Sequence, residues 1–393
     1  MNSPIQVQSS VRVRPIWNFV SLVPQYLYNR VQLCICHVAR WFSTEKLSSV
    51  ALFGWSTLCF NVAVMLWGTF VRATESGAGC GNQWPECGGS VFGTSAKAQT
   101  IIEFTHRMTS SIALLMVAIL VLWCWRATSK GNWARYSTTL VAVFFANEAL
   151  LGAALVLLGH VAQDQSAGRI FFLCLHFGNT LLLLGTLALT AAWIQTGSGN
   201  FRLIQNRTEV SAVVVGLIAV MGTGMTGTMA ALGDTLFPAT SLHASLLQDF
   251  ASNPHNLLRF RPLHPILAII SGFYVIWVVL RSSRLMHESR IPRALNILLF
   301  TQLGIGSLNV FLLTPVWLQI LHLFVADIIW IFLVLASATL ILEHPYSRLS
   351  GVLRNDRTEW QKDKDILMQP RCGKNDFGLS GDELEPRKQA TQI

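Results

Sequence analysis

The chain has 393 residues, of which 52% are hydrophobic and only 12% charged, against about 25% charge in an ordinary soluble domain. With a mean hydropathy of +0.47, a water-soluble globule is excluded and a polytopic membrane protein is expected. The net charge of +9 follows membrane topology, and no Gly-rich phosphate-binding signature is present, so no nucleic-acid partner is expected and the surrounding partner is membrane lipid.

A membrane span needs about 20 apolar residues, and eight stretches qualify, at 48–71, 108–126, 138–160, 169–195, 209–232, 263–280, 293–313 and 315–342. The predicted fold class is all-α with eight transmembrane helices. An inside N-terminus puts 23 of the 29 Lys and Arg residues on the inner side, leaving Arg72, Lys97, Arg107, Arg169, Arg259 and Arg261 outside. Both termini are therefore expected inside.

In chain order, residues 1–47 hold Arg12, Arg14, Arg30 and Arg40 with Glu45 as the only acid. This reads as a basic segment lying on an anionic inner leaflet in preference to a transit peptide. After the first span comes an outer loop, Cys80-Gly81-Asn82-Gln83-Trp84-Pro85-Glu86-Cys87. Its two cysteines suit a disulfide in an oxidising compartment, with two free thiols or a soft-metal site as the other readings. The apolar run of the second span starts at Met108, and Glu103-Phe104-Thr105-His106-Arg107 stands at its mouth. On a helix Glu103 shares a face with His106 and Arg107. Ionisable groups entering a membrane helix mark a functional site.

The third span carries Asn147 and Glu148, a polar step expected to face protein, and the fourth carries Leu175-His176. A short polar linker, 196–208, halves the chain. The fifth span ends in small residues around Gly227-Thr228-Met229, and a second large outer loop covers 233–262. The sixth span opens with Arg261-Pro262-Leu263-His264-Pro265, where proline at a helix start costs little. Gln302 and Asn309 are the polar points of the seventh, and the eighth holds Leu321-His322 followed by Asp327. Residues 344–393 are polar without a hydrophobic period and read as a disordered cytoplasmic tail.

The halves match in order. Gly68-Thr69-Phe70 corresponds to Gly227-Thr228-Met229, Trp84-Pro85 to Phe237-Pro238, His106 to His264, and Leu175-His176 to Leu321-His322. A duplicated four-helix unit is expected, 48–195 and 209–343. All four histidines fall in the outer half of the membrane, one pair per unit. An apolar, iron-bearing macrocycle gripped by axial imidazoles suits two such pairs, with Arg107, Arg72, Arg259 and Arg261 available to its propionates. Zinc would need a tighter cluster of ligands.

These residues resemble the haem A synthase family, the CtaA type, over about residues 48–343. The resemblance rests on Glu103-Phe104-Thr105-His106-Arg107, Leu175-His176, the Cys80 to Cys87 loop with Trp84-Pro85-Glu86-Cys87-Gly88, and Leu321-His322 followed by Asp327. It implies an oxidoreductase of two similar four-helix bundles that oxidises a methyl group of haem O to the formyl group of haem A. By this resemblance His264 and His322 bind the iron of a haem b in the C-terminal bundle, and His106 and His176 that of the substrate in the N-terminal bundle. Glu103 is the implied catalytic acid, and a Cys80–Cys87 disulfide is of the bacterial type. A bacterial cytoplasmic membrane is therefore expected in preference to a mitochondrial inner membrane, with haem O synthase and terminal oxidase assembly as partners and an electron acceptor that the residues do not identify. Two alternatives stay open: Glu103 simply pairs with Arg107, or the whole is a dihaem b-type carrier exchanging electrons with quinone. A transporter or chaperone without haem is a third class.

Overall fold

The computed structural model describes residues 48–87, 97–196, 202–203, 207–252, 255–282 and 291–343. The expectations for residues 1–47, for most of the linker and for 344–393 lie outside the described residues.

Eight long helices form, each long and apolar enough to cross a membrane. In lipid a chain segment must satisfy its own backbone hydrogen bonds, which leaves helix as the available solution for a single apolar run. The first unit contains α1 (Ser49–Ala73), α2 (Ala98–Ala127), α3 (Trp133–Leu157) and α4 (Ala167–Thr196). The second contains α5 (Arg207–Leu236), the short α6 (Leu242–Asp249), α7 (Phe260–Ser282), α8 (Ile291–Phe311) and α9 (Val316–Ile341). Capping residues open several of them: the Ser48 hydroxyl accepts from the Ala51 N–H, and Asn132 Oδ1 from the Ala134 N–H. The fold is all-α apart from one two-residue antiparallel pairing, Arg202–Leu203 (β1) with Leu342–Glu343 (β2).

Within the first unit α1 packs on α2 and α4, and α3 packs between α2 and α4. The second repeats this ring, with α5 on α7 and α9 and with α8 between α7 and α9. The units meet where α1 and α4 face α5 and α9. There the buried Trp330 of α9 donates to the Leu181 carbonyl of α4 at 2.6 Å, and Leu181, Leu184, Trp330 and Ile331 join one apolar core. Small residues permit the closest approaches: a Cβ added at Gly54 of α1 would lie 3.3 Å from Ala191 Cβ of α4.

Four expectations need correction. Helix α2 starts at Ala98, ten residues before Met108, so Glu103–Arg107 sits inside the helix and not at its mouth. Its first turns are polar because they pack against the Cys80–Cys87 loop, and a count of apolar residues passes over them. Asn147 is exposed, and only Glu148 of that polar step turns inward. Pro265 lies within α7, and the second large loop is not all loop, since it contains α6 and a 3-10 turn, Asn256–Arg259.

Candidate functional site

His106, His176, His264 and His322 lie on α2, α4, α7 and α9, all near the end of the bundles that carries the Cys80–Cys87 loop. Each ring rests on a glycine of a neighbouring helix. A Cβ built on Gly68 of α1 would stand 3.0 Å from His106 Cε1, and one on Gly227 of α5 would stand 2.8 Å from His264 Cε1. On Gly306 of α8 it would be 3.0 Å from His322 Cε1, and on Gly152 of α3 3.7 Å from His176 Cε1. The four contacts are repeat-related, α1–α2 matching α5–α7 and α3–α4 matching α8–α9. Any larger residue at the three tight positions would displace the imidazole.

In the second unit the His264 and His322 rings face each other, with centroids 6.4 Å apart and planes at 89°. An iron held in line by two imidazole nitrogens at about 2 Å each would set the centroids about 6 Å apart. His264 Nδ1 is 3.1 Å from the Thr223 carbonyl oxygen, a contact in which Nδ1–H donates and the Nε2 lone pair is left for a metal. Buried Nδ1 atoms of His106, His176 and His322 have no hydrogen-bond partner. Beside them stand Glu148 Oε1, 3.5 Å from His176 Nδ1, and Gln302 Nε2, 3.3 Å from His322 Nε2. These rings, cradled by glycine and short of partners, fit axial ligands to a flat iron macrocycle. No group of three or more His, Cys, Asp or Glu side chains suited to a bare metal ion occurs among the described residues.

Glu103 is 3% exposed. Its Oε2 accepts from the Cys80 N–H at 2.7 Å and its Oε1 from Arg107 at 2.6 Å. Arg107 also donates to the carbonyls of Gln83 (2.8 Å) and Glu86 (2.5 Å). Cys80 and Cys87 form a disulfide in the loop so held, and Thr100 of α2 ties down the Gly79 carbonyl at 2.7 Å.

The second unit fastens its loop by the same device with the charges exchanged. Arg261, at the position that corresponds to Glu103, donates to the Gly233 carbonyl at 2.8 Å and to that of Phe237 at 2.5 Å. Its acids come from the loop side: Asp234 Oδ1 at 2.8 Å and Asp249 Oδ1 at 3.4 Å. Burial raises the Asp249 carboxyl above its usual range, against the pull of the Arg261 charge. The matching acid that the sequence lacks at position 261 is thus supplied through space. In both units the arginine grips carbonyls at an X-Pro segment, Trp84-Pro85 or Phe237-Pro238.

Of the cations expected at propionates, Arg107 and Arg261 are therefore already engaged by loops. Arg72 is too: from α1 it crosses to the other unit, donating to the Ala231 carbonyl (2.9 Å), Thr235 Oγ1 (3.0 Å) and Gln319 Oε1 (2.8 Å). Arg169 is 3% exposed and holds the Ala162 and Asp164 carbonyls. Arg259 is exposed and stands five residues before His264. Sequence reasoning missed the roles of Gly152, Gly306, Glu148 and Gln302. Their signal is there, since Glu148 and Gly152, and likewise Gln302 and Gly306, are four residues apart on equivalent helices.

Fold and site together define a multi-pass membrane protein of two like four-helix units, each converging two histidines near one end of the bundle. The sequence pattern of the COX15-CtaA family, described as cytochrome oxidase assembly protein, matches residues 51–334, and the chain belongs to that family. It is 43% identical over 234 residues, 60% of its length, to a protoheme IX farnesyltransferase of Thermus thermophilus, and this match covers 38% of that protein. It is 37% identical over 153 residues to a heme A synthase of Halalkalibacterium halodurans, covering 39% of this chain and 49% of that one. With a heme A synthase of Geobacillus kaustophilus the identity is 36% over 134 residues, 34% of this chain and 40% of the relative. The chain thus spans less than half the length of these curated relatives.

Proposed function

We propose that this chain is a haem A synthase, which oxidises the methyl group of haem O to the formyl group of haem A. The observation that carries the reading is the facing His264–His322 pair at 6.4 Å, together with its repeat-related counterpart His106 and His176. The family membership and the heme A synthases among the relatives support it. In this reading His264 and His322 hold a resident haem b, His106 and His176 hold the substrate, and Arg259 is the cation open to a propionate. Bound iron porphyrin supplies the redox chemistry that side chains lack.

The chain itself supplies position and a proton acceptor. Glycine cradles fix the imidazole planes, and Thr223 sets the His264 tautomer. The loop pinned by Arg107 and the disulfide covers the α2 end of the substrate unit. Glu103 is the acid nearest His106 along α2. Its carboxylate accepts from the Cys80 N–H and Arg107 and keeps lone pairs free to take a proton, so it is at once the loop's anchor and the candidate base. A bacterial cytoplasmic membrane suits the disulfide. That a segment like this one shares a polypeptide with a protein named for protohaem farnesylation supports a working link to the enzyme that makes haem O.

The test is pigment extraction from cells that make haem O, with and without this chain. Haem A should appear only with it, and its absence alongside well-folded, membrane-inserted protein would defeat the reading. A dihaem electron carrier would bind haem equally well yet form no haem A.

The cradles give a second expected result. Gly227→Val places side-chain carbon where the His264 ring now lies, and such overpacking costs about 1–3 kcal/mol. Haem retained by the purified variant should fall at the C-terminal site, while Gly304→Val, at a position where a Cβ meets nothing within 4 Å, should leave it unchanged. Equal haem content in the two variants would remove the cradle from the account.

A further inference from the structure

The two units differ behind their last histidine. On α3, Glu148 stands four residues before the glycine on which His176 rests. On α8, Gln302 stands four residues before the glycine on which His322 rests. Equivalent positions thus present a carboxylate to one axial ligand and a neutral amide to the other. Glu148 is held firmly: Oε2 accepts from Asn179 Nδ2 at 2.6 Å, and Oε1 accepts from Thr180 Oγ1 at 2.5 Å. The same Oε1 faces His176 Nδ1 at 3.5 Å, and that Nδ1 is buried without a hydrogen-bond partner. Gln302 instead donates to the His322 backbone carbonyl at 3.1 Å and approaches Nε2 of the ring.

We propose that Glu148 is a positioning residue that polarises the Nδ1–H of His176, making it a stronger electron donor to a bound iron than any histidine of the C-terminal unit. A carboxylate behind a ligating imidazole fixes its tautomer and raises its basicity, which an amide does far less. The consequence is a division of labour: an electron-rich iron in the N-terminal unit and a more easily reduced one in the C-terminal unit. The inference rests on the haem reading above and goes beyond it by naming the group that sets the two sites apart.

Thr180 makes the sign testable. Its hydroxyl shares Oε1 with His176, so Thr180→Val frees that oxygen for Nδ1–H, while Glu148→Gln removes the charge. The haem-loaded full chain would be titrated electrochemically and followed by absorption, with components assigned by their loss in His176→Ala and His322→Ala. Glu148→Gln should raise the midpoint potential of the His176 component by about tenfold in the reduced-to-oxidised ratio, about 59 mV for one electron. Thr180→Val should lower it, and the His322 component should stay in place in both. The inference is overturned if neither variant moves the His176 component, if both move it the same way, or if the two components move together. A wild-type chain with no Soret band would instead defeat the haem reading itself.

Discussion

Removing either imidazole of the facing pair, by His264→Gly or His322→Gly, is expected to cost the purified protein one haem equivalent per chain. The rings are 6.4 Å apart and face each other. The polar groups beside the rings, the Thr223 carbonyl at His264 and the Gln302 amide at His322, are poor iron ligands. The loss should be reversible. Gly306 and Gly227 lie against the rings, so truncation leaves an imidazole-sized space, and such cavities take up matching small molecules. Added free imidazole should restore the Soret band of His322→Gly. Haem content unchanged in both variants would refute the assignment of this pair, and loss of haem without rescue in a folded protein would refute the cradle.

The second large effect is expected at Glu103. Glu103→Gln keeps an oxygen for the Cys80 N–H but removes the charge facing Arg107, whose carbonyl contacts and the disulfide still hold the loop. Haem A production should fall by about 10²-fold or more, the usual scale for a lost general base, with haem binding intact. Glu103→Ala should add a stability loss of about 1–3 kcal/mol by leaving the Cys80 N–H without its buried acceptor. Haem A production within twofold of wild type in Glu103→Gln would reduce Glu103 to a loop anchor. Cys80→Ser with Cys87→Ser serves as the comparison: if loop anchoring were all that mattered, it would match Glu103→Gln in activity.

The contrast between the two loops explains why an acid at one position and an arginine at its counterpart do not make the units chemically unlike in every respect. Both units need an ion pair beneath the loop, and each places the acid on a different partner. Glu103 lies on the helix and reaches the Cys80 backbone, whereas Asp234 and Asp249 reach from α5 and α6 to Arg261. The units therefore differ in whether a carboxylate lies on the same helix face as the histidine, and only the first unit meets that condition.

The sequence by itself determined the eight spans and singled out four histidines as candidates. Apolar runs are decisive because lipid offers the backbone no partner, and repeat order picks out His106, His176, His264 and His322 from the ten histidines. Hydropathy could not locate the start of α2, since Thr100 and Glu103 are polar yet packed against a loop. It also could not say which arginines were free. Arg72 finds its partners 159 to 247 residues away, and Arg107 finds its carbonyls in a loop whose path depends on a disulfide. Only the tertiary structure set Glu148 behind His176 and glycines under all four rings. Burial of an apolar segment is a sum over neighbouring residues and can be read along the chain. The partner of a polar side chain is fixed by which donors and acceptors the packed helices bring to about 3 Å of one another, and repeat order along the chain can mark such positions without naming their partners.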